Sequence, residues 1–211
     1  MNLEKTVRFH FPKSTLLSDE VHSTSTDQLK TADIMAALGL AQHESGFGMS
    51  AFFGKMGVSQ NDKNQAVTNL MKITRRRVMK CKVFGKLSGR QRGRAIYLIA
   101  LFAFEDYCRS AASPEIRCPS CKGRGEVKDI EQIALTRQRV MKTCSRCKGK
   151  GFKALKASKL FDAIRAIAPE ISKSVFYRDI KPVFDDLIQV CFKEESRADN
   201  ALKKVTALKS Y

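Results

Sequence analysis

The stretch CPSCKGRG at residues 118–125 returns as CSRCKGKG at 144–151, so the pattern Cys-x-x-Cys-x-Gly-x-Gly is written twice within 34 residues. Each Cys-x-x-Cys turn presents two thiolates about one tetrahedral edge apart, and two such turns close four sulfur ligands around one zinc ion. Cys118, Cys121, Cys144 and Cys147 are therefore the candidate ligands of a single zinc. Four thiolates leave no open coordination position, which makes the predicted role structural rather than catalytic. The glycines that follow each pair let the backbone fold around the metal and adopt positive φ where needed. Between the pairs lie 22 residues, slightly more than the roughly 15 to 20 of common four-cysteine spacings, with room for a short helix in DIEQIALTRQRVM. A redox role for either pair lacks a thioredoxin-like βαβ context. His10, His22 and His43 are distant in the chain and receive no ligand role, and Cys81, Cys108 and Cys191 read as packed thiols.

Around this module the chain carries a formal net charge of +18, and the charge is segmented. Residues 1–60 hold 5 basic and 6 acidic side chains, residues 61–104 hold 11 and 1, residues 117–159 hold 13 and 3, and residues 160–211 hold 9 and 8. Two acid-poor blocks thus account for the excess. In the first, Arg75, Arg76, Arg77, Arg90, Arg92 and Arg94 stand among four lysines without an acid. Such clusters neutralise phosphates and release counterions, so nucleic acid is the expected partner, against the plainer reading of a solvated face. No apolar run approaches the roughly 20 residues of a membrane-spanning helix, and the N-terminus lacks the apolar core of a secretory signal, so a cytoplasmic location and no membrane partner are expected.

The remaining sequence predicts a mainly α-helical fold. Residues 1–28 are expected to form a flexible arm, because 12–28 is rich in Ser, Thr and acids and poor in periodic hydrophobics. A helical region carrying the basic block follows at 29–116. Leu29, Ile34, Met35, Leu38 and Leu40 predict a helix ending near Gly39, and GFGMSAFFGKMG at 46–57 is expected to be a connector. Ser59 and Asp62 form a helix start signal. The helix they open is expected to break in the Gly-punctuated stretch 85–93, before the apolar segment AIYLIALFAFEDYC at 95–108, the predicted centre of the core. The zinc finger is expected at 117–153 as an insertion.

Residues 154–211 suggest a helix-turn-helix followed by C-terminal helices. Leu160, Phe161, Ile164 and Ile167 share one helical face, the turn falls near AIAPEI, and Ser172 or Ser174 can cap a second helix. That helix would end near Lys181, ahead of Pro182, which deletes a hydrogen bond inside a helix. A new helix or a kinked continuation would start at Pro182 and carry Val183, Phe184, Leu187, Ile188, Val190 and Cys191 toward the core. Lys173, Arg178 and Lys181, with Lys159 and Arg165 on the preceding helix, are the candidate DNA contacts. A plain helical hairpin has the same spacing. A last amphipathic helix is expected from Glu194 to the C-terminus.

Several ordered stretches carry a more specific signal: DIMAALGLAQ, GFGMSAFFGKMGVSQNDK, YCRSAA, the two cysteine motifs, IKPVFDDL and FKEESRADN. Over nearly its full length the chain resembles the Q-type late-gene antitermination proteins of lambdoid bacteriophages. The resemblance implies a DNA-binding protein that acts within a phage late promoter. It would meet RNA polymerase at a sigma-dependent promoter-proximal pause and then join the elongating enzyme, which ignores terminators. It further implies contacts with the sigma factor, the β flap, the RNA exit channel and NusA, and no catalysis by the protein itself. Cys118, Cys121, Cys144 and Cys147 match the family's zinc positions, and Arg124, Arg146, Lys148 and Lys150 would face phosphates or polymerase. Cys-x-x-Cys-x-Gly-x-Gly also marks the zinc region of DnaJ-type chaperones, but that family normally carries four copies, and no His-Pro-Asp tripeptide occurs here.

Overall fold

A computed structural model describes residues 3–4 and 31–207. In chain order the elements are α1 (Thr31–Glu44), α2 (Gly46–Lys55), α3 (Gln60–Val78), α4 (Lys82–Lys86) and α5 (Gly89–Tyr107), then β1 (Glu126–Lys128), α6 (Ile130–Thr136) and β2 (Met141–Thr143), and finally α7 (Ala157–Ile167), α8 (Lys173–Val175) and α9 (Lys181–Ala207). The fold is mainly helical, as expected.

The start signal at Ser59 works as read: its hydroxyl accepts from the Asp62 N–H at 3.3 Å and opens α3. The basic residues Arg75, Arg76 and Arg77 trail in the last turn of α3, where the helix dipole favours cations. α5 begins earlier than expected. Ser88 and Gln91 form a reciprocal capping box, with bonds of 3.0 and 3.2 Å, so the helix starts inside the glycine-punctuated stretch rather than after it. Its predicted role holds: Ala95, Ile96, Ile99, Ala100, Ala103, Phe104 and Tyr107 are all buried. They pack against Leu70 of α3, Leu160, Phe161 and Ile164 of α7, and Phe184 and Leu187 of α9 in one apolar core.

Two expectations are corrected at the ends of the helical body. α1 runs past Gly39 to Glu44, and 46–57 is largely helix α2 rather than a connector. The glycines there serve packing. A Cβ at Gly48 would lie 2.0 Å from the carbonyl oxygen of Glu194, so the missing side chain is what lets α2 lie directly on α9. Nor is the C-terminal tail a separate helix: α9 is a single 27-residue helix, about 40 Å long at 1.5 Å per residue. Its first half packs in the main core. Its second half, through Ala198, Ala201 and Leu202, packs with Ile34, Ala37, Leu38, Ala41, Met49 and Phe52 of α1 and α2 in a second apolar cluster.

Of the arm expected at 1–28, Leu3 and Glu4 are described, and residues 12–28 lie outside the described residues. Leu3 is buried in the second cluster, and its N–H donates to Asp199 Oδ1 at 3.1 Å.

The segment before α9 also differs from expectation. Ser172 caps α8, accepting from the Val175 N–H at 3.4 Å. The chain then widens into a π-turn at Phe176–Ile180, closed by the Lys181 N–H donating to the Phe176 carbonyl. Of the two expected outcomes at Pro182, the chain takes the continuation: no separate helix ends at Lys181, and the run passes into α9. An i→i+5 turn directly ahead of Pro182 accommodates a residue that has no N–H to give.

Candidate metal centre and basic surfaces

The two cysteine turns face one another as near copies offset by 26 residues. The Cys118 N–H donates to the Gly151 carbonyl at 2.9 Å and the Cys144 N–H to the Gly125 carbonyl at 2.8 Å. A Cβ at Gly125 would lie 2.3 Å from the Gly149 oxygen, and one at Gly151 would lie 2.4 Å from the Gly123 oxygen, so only glycine permits the two turns to cross this closely. Lys122 and Lys148 hold matching left-handed conformations, both at φ 51°. β1 and β2 pair antiparallel to form the stem between the turns, and α6 sits at its tip. The sequence placed a short helix in that interval, and Asp129 caps it at 3.5 Å.

All four sulfurs are buried and lie within 4.8 Å of one another. Cys118 and Cys144 are 3.9 Å apart and Cys121 and Cys147 3.7 Å. A tetrahedral ion with metal–thiolate bonds of about 2.3 Å requires sulfur–sulfur edges of about 3.8 Å, so the residues fit a four-sulfur metal site. The Gly125 and Gly151 N–H groups each donate to a cysteine sulfur, on Cys121 and Cys147, at 3.3 Å; donors behind a metal's sulfur ligands hold them in place. Backbone hydrogen bonding, first from Cys121, pulls the Cys118 thiol down to about 6. Burial pushes the Cys147 thiol up to about 11, with the neighbouring sulfurs adding to the rise. Deprotonating four adjacent thiols requires a cation among them, which is the chemistry of metal binding coupled to deprotonation.

The module joins the helical body through one acidic residue that sequence reasoning missed. Asp106, buried at the end of α5, accepts the Leu155 N–H at 2.5 Å and lies 3.6 Å from Arg109 Nε. Arg109 in turn donates to the Lys153 carbonyl at 3.1 Å, and Arg117 donates to the Ala111 and Ala112 carbonyls at 2.9 and 3.3 Å. The stretch YCRSAA is thus the socket of the module.

The basic side chains fall into three groups. Arg75, Arg76, Arg90 and Arg94 are exposed, Arg77 forms an ion pair with Asp186 of α9, and the Arg92 Nη2 donates to the Leu87 carbonyl at 3.0 Å. Arg124, Arg146 and Lys148 are exposed on the cysteine turns. Arg146, Lys148 and Lys150 line a groove of 630 Å³ whose other wall includes Lys153, Lys156 and Lys181. Lys159, Arg165 and Lys173 are exposed on α7 and α8. Arg178 is exposed but already bonded to Asp179 through both Nε and Nη2, at 2.8 and 2.9 Å, and Lys181 pairs with Asp185. The structure thus brings the four candidate metal ligands to one point, while the basic residues spread over α3 and α5, the cysteine turns and the α7 to α9 segment, the last two sharing one groove.

Glu195 had no role legible in the sequence. It joins three helices: Tyr107 Oη of α5 donates to it at 2.8 Å and Lys55 Nζ of α2 at 3.0 Å. The Lys55 ammonium also sits 4.7 Å above the Tyr107 ring. Burial and the adjacent carboxylate raise the Tyr107 hydroxyl well above the usual phenol range, so it remains a donor. The sequence signal was there in FKEESRADN, but its partners lie 88 and 140 residues away.

Among the described residues no helix is long and apolar enough to cross a membrane. The family model for Antitermination protein Q matches residues 23–111 and 112–199. Antitermination protein Q of Escherichia phage lambda is 42% identical over 206 residues, covering 98% of this chain and 100% of that protein. Its counterpart in Salmonella phage P22 is also 42% identical, with the same coverage. The prophage antitermination protein Q homolog QuuQ of Escherichia coli K12 is 27% identical over 98% of this chain. The chain belongs to the antitermination protein Q family.

Proposed function

We propose that this protein is a phage transcription antiterminator. It binds DNA within a late promoter, engages RNA polymerase held at a sigma-dependent pause near that promoter, and remains with the elongating enzyme so that terminators are read through. The observation that carries this reading is similarity at 42% identity along essentially the whole length of proteins named for antitermination. The DNA contacts are assigned to α7 and the segment behind Ser172, where Lys159, Arg165 and Lys173 are free to meet phosphates. Arg178 and Lys181 are released from Asp179 and Asp185 when DNA competes for them. Arg124, Arg146 and Lys148, with the basic side chains of α3 and α5, form the remaining nucleic-acid or polymerase contacts. Sigma, the β flap, the RNA exit channel and NusA are the corresponding protein partners.

The metal in this reading is one zinc ion. It neutralises the four thiolates and fixes the two turns that present Arg146, Lys148 and Lys150, and it takes no part in catalysis. Support comes from the sulfur–sulfur distances and from a donor set of soft thiolates, which suits zinc.

The test is reconstituted transcription from the cognate late promoter through a strong terminator, with and without the protein. Read-through that requires the promoter's own pause sequence is expected. Termination unchanged on the cognate promoter would sink the proposal. For Arg178, replacement by Ala should weaken specific binding by roughly 1 to 3 kcal/mol if it reads a base. Equal losses on specific and random duplex would reassign it to a phosphate.

A further inference from the structure

We propose that the groove between α3 and α5 is a pocket for one unpaired nucleotide of a single-stranded nucleic acid, with the phosphate on Lys72, Arg75 and Arg92 and the base on Met71, Met79 and Ile96. This rests on the nucleic-acid role above and names the ligand for part of the α3 and α5 surface, which that role leaves open between nucleic acid and polymerase.

The groove has a volume of 440 Å³, within the roughly 300 to 1,000 Å³ typical of small-molecule sites. Its walls combine two chemistries. Met71 and Ile96 form an apolar floor, and Met79, 50% exposed, stands at its edge without covering it. Methionine thioethers are polarisable and pack well against π-systems, so they suit the flat face of a base. Lys72, Arg75 and Arg92 supply the cations, and no acid lines the groove.

Arg92 provides the independent observation. Its Nη2 is committed to the Leu87 carbonyl, yet its Nε is buried and has no acceptor among the described residues. Buried polar groups are ordinarily bonded, and each exception asks for an explanation. Because that Nε is fully buried, it meets a phosphate oxygen only once the Arg92 side chain turns into the groove. Duplex nucleic acid offers its phosphates outside and keeps its bases stacked within. An apolar floor directly beside cations therefore matches a strand whose base has left the stack.

The groove also has an open wall. A Cβ built at Gly89 or at Gly93 meets nothing within 4 Å, so a side chain at Gly93 would enter the groove without disturbing the packing. Gly93→Gln also replaces a poor helix former inside α5 by a better one. The experiment measures binding of the full-length protein to a fluorescent single strand of about ten nucleotides, as RNA and as DNA, and to promoter duplex. Gly93→Gln and Met79→Ala are compared with wild type, since Arg92→Ala would also remove the bond to Leu87.

Affinity for single strands is expected to fall about tenfold in Gly93→Gln and by less in Met79→Ala, with duplex binding unchanged. Equal losses for RNA and DNA assign the pocket to phosphate and base, and a loss confined to RNA adds its 2′-hydroxyl; both outcomes support it. A photoreactive 4-thiouridine in the strand should crosslink to Met71 or Met79. Wild type that binds duplex but holds single strands no better than Gly93→Gln overturns this inference alone. Binding of an acidic peptide that Gly93→Gln abolishes, with oligonucleotides indifferent to the change, also overturns it. Wild type that binds neither duplex nor single strand overturns it together with the nucleic-acid role.

Discussion

The metal module and the helical body stay folded by opposite means. In the body, α3, α5, α7 and α9 share one continuous apolar core with large side chains such as Phe84, Phe104, Tyr107 and Phe176 fully buried. In the module, the buried cluster consists of the four cysteines with Val127 against it. α6 buries none of its residues, and Ile130 and Leu135 are 77% and 78% exposed. Burial of apolar surface stabilises the one, while the proposed bonds from four cysteines to a metal ion would stabilise the other. The comparison teaches that a basic, glycine-rich segment too polar to make its own core can still hold a defined shape if four sulfurs supply the centre.

The largest effect should come from removing that centre. Replacing Cys118 and Cys147 together by Ser, or stripping the metal with a strong chelator, should unfold the module and leave the body helical. Structural zinc contributes about 10 to 16 kcal/mol to peptides of this kind. Metal content, hydrogen exchange across 117–153 and far-ultraviolet dichroism would be followed together. Loss of helix in α3, α5 and α9 on the same scale would break the comparison by showing one cooperative unit; full retention of module structure would break it from the other side.

A smaller effect is expected inside the body. Gly48→Ala places a Cβ 2.0 Å from the Glu194 carbonyl and should lower stability by about 1 to 3 kcal/mol through forced separation of α2 from α9. A thermal or urea melt measures it, and the metal content should stay that of the wild type. An unchanged melt would mean that the two helices are not held at this distance in solution.

The smallest effect is expected at the fingertip. Leu135→Gln should change stability by no more than about 0.5 kcal/mol, since a side chain 78% exposed has little burial to lose. A larger drop would reveal packing that the fingertip does not show, and would move the module toward the body in kind.

The parts read correctly from the sequence are those set by neighbours in the chain. Cys-x-x-Cys with its glycines, the Ser59 cap, the Ser172 cap and the short helix after Asp129 each close within a few residues. The errors have a common cause. GFGMSAFFGKMG reads as a connector because glycine lowers helix propensity, but Gly48 is required by contact with a helix almost 150 positions later. At Pro182 the sequence allows either a new helix or a continuation, and the π-turn directly ahead of it makes the helical run continuous. For the candidate site, the ligands were legible and the socket was not. Asp106 reads as one acid among three in an unremarkable stretch, and its partner Leu155 is 49 residues distant.

By itself the sequence determined the four cysteines that could hold a metal, the helical class, the position of the apolar core and the segregation of charge, since all four rest on residue type and short-range spacing. Only the tertiary structure decided that α9 serves two cores, that Glu195 ties Tyr107 to Lys55, and that Arg75, Arg92 and Met79 meet at one groove. Those facts depend on which side chains become neighbours once distant helices pack, and packing is settled by the shape of the whole chain.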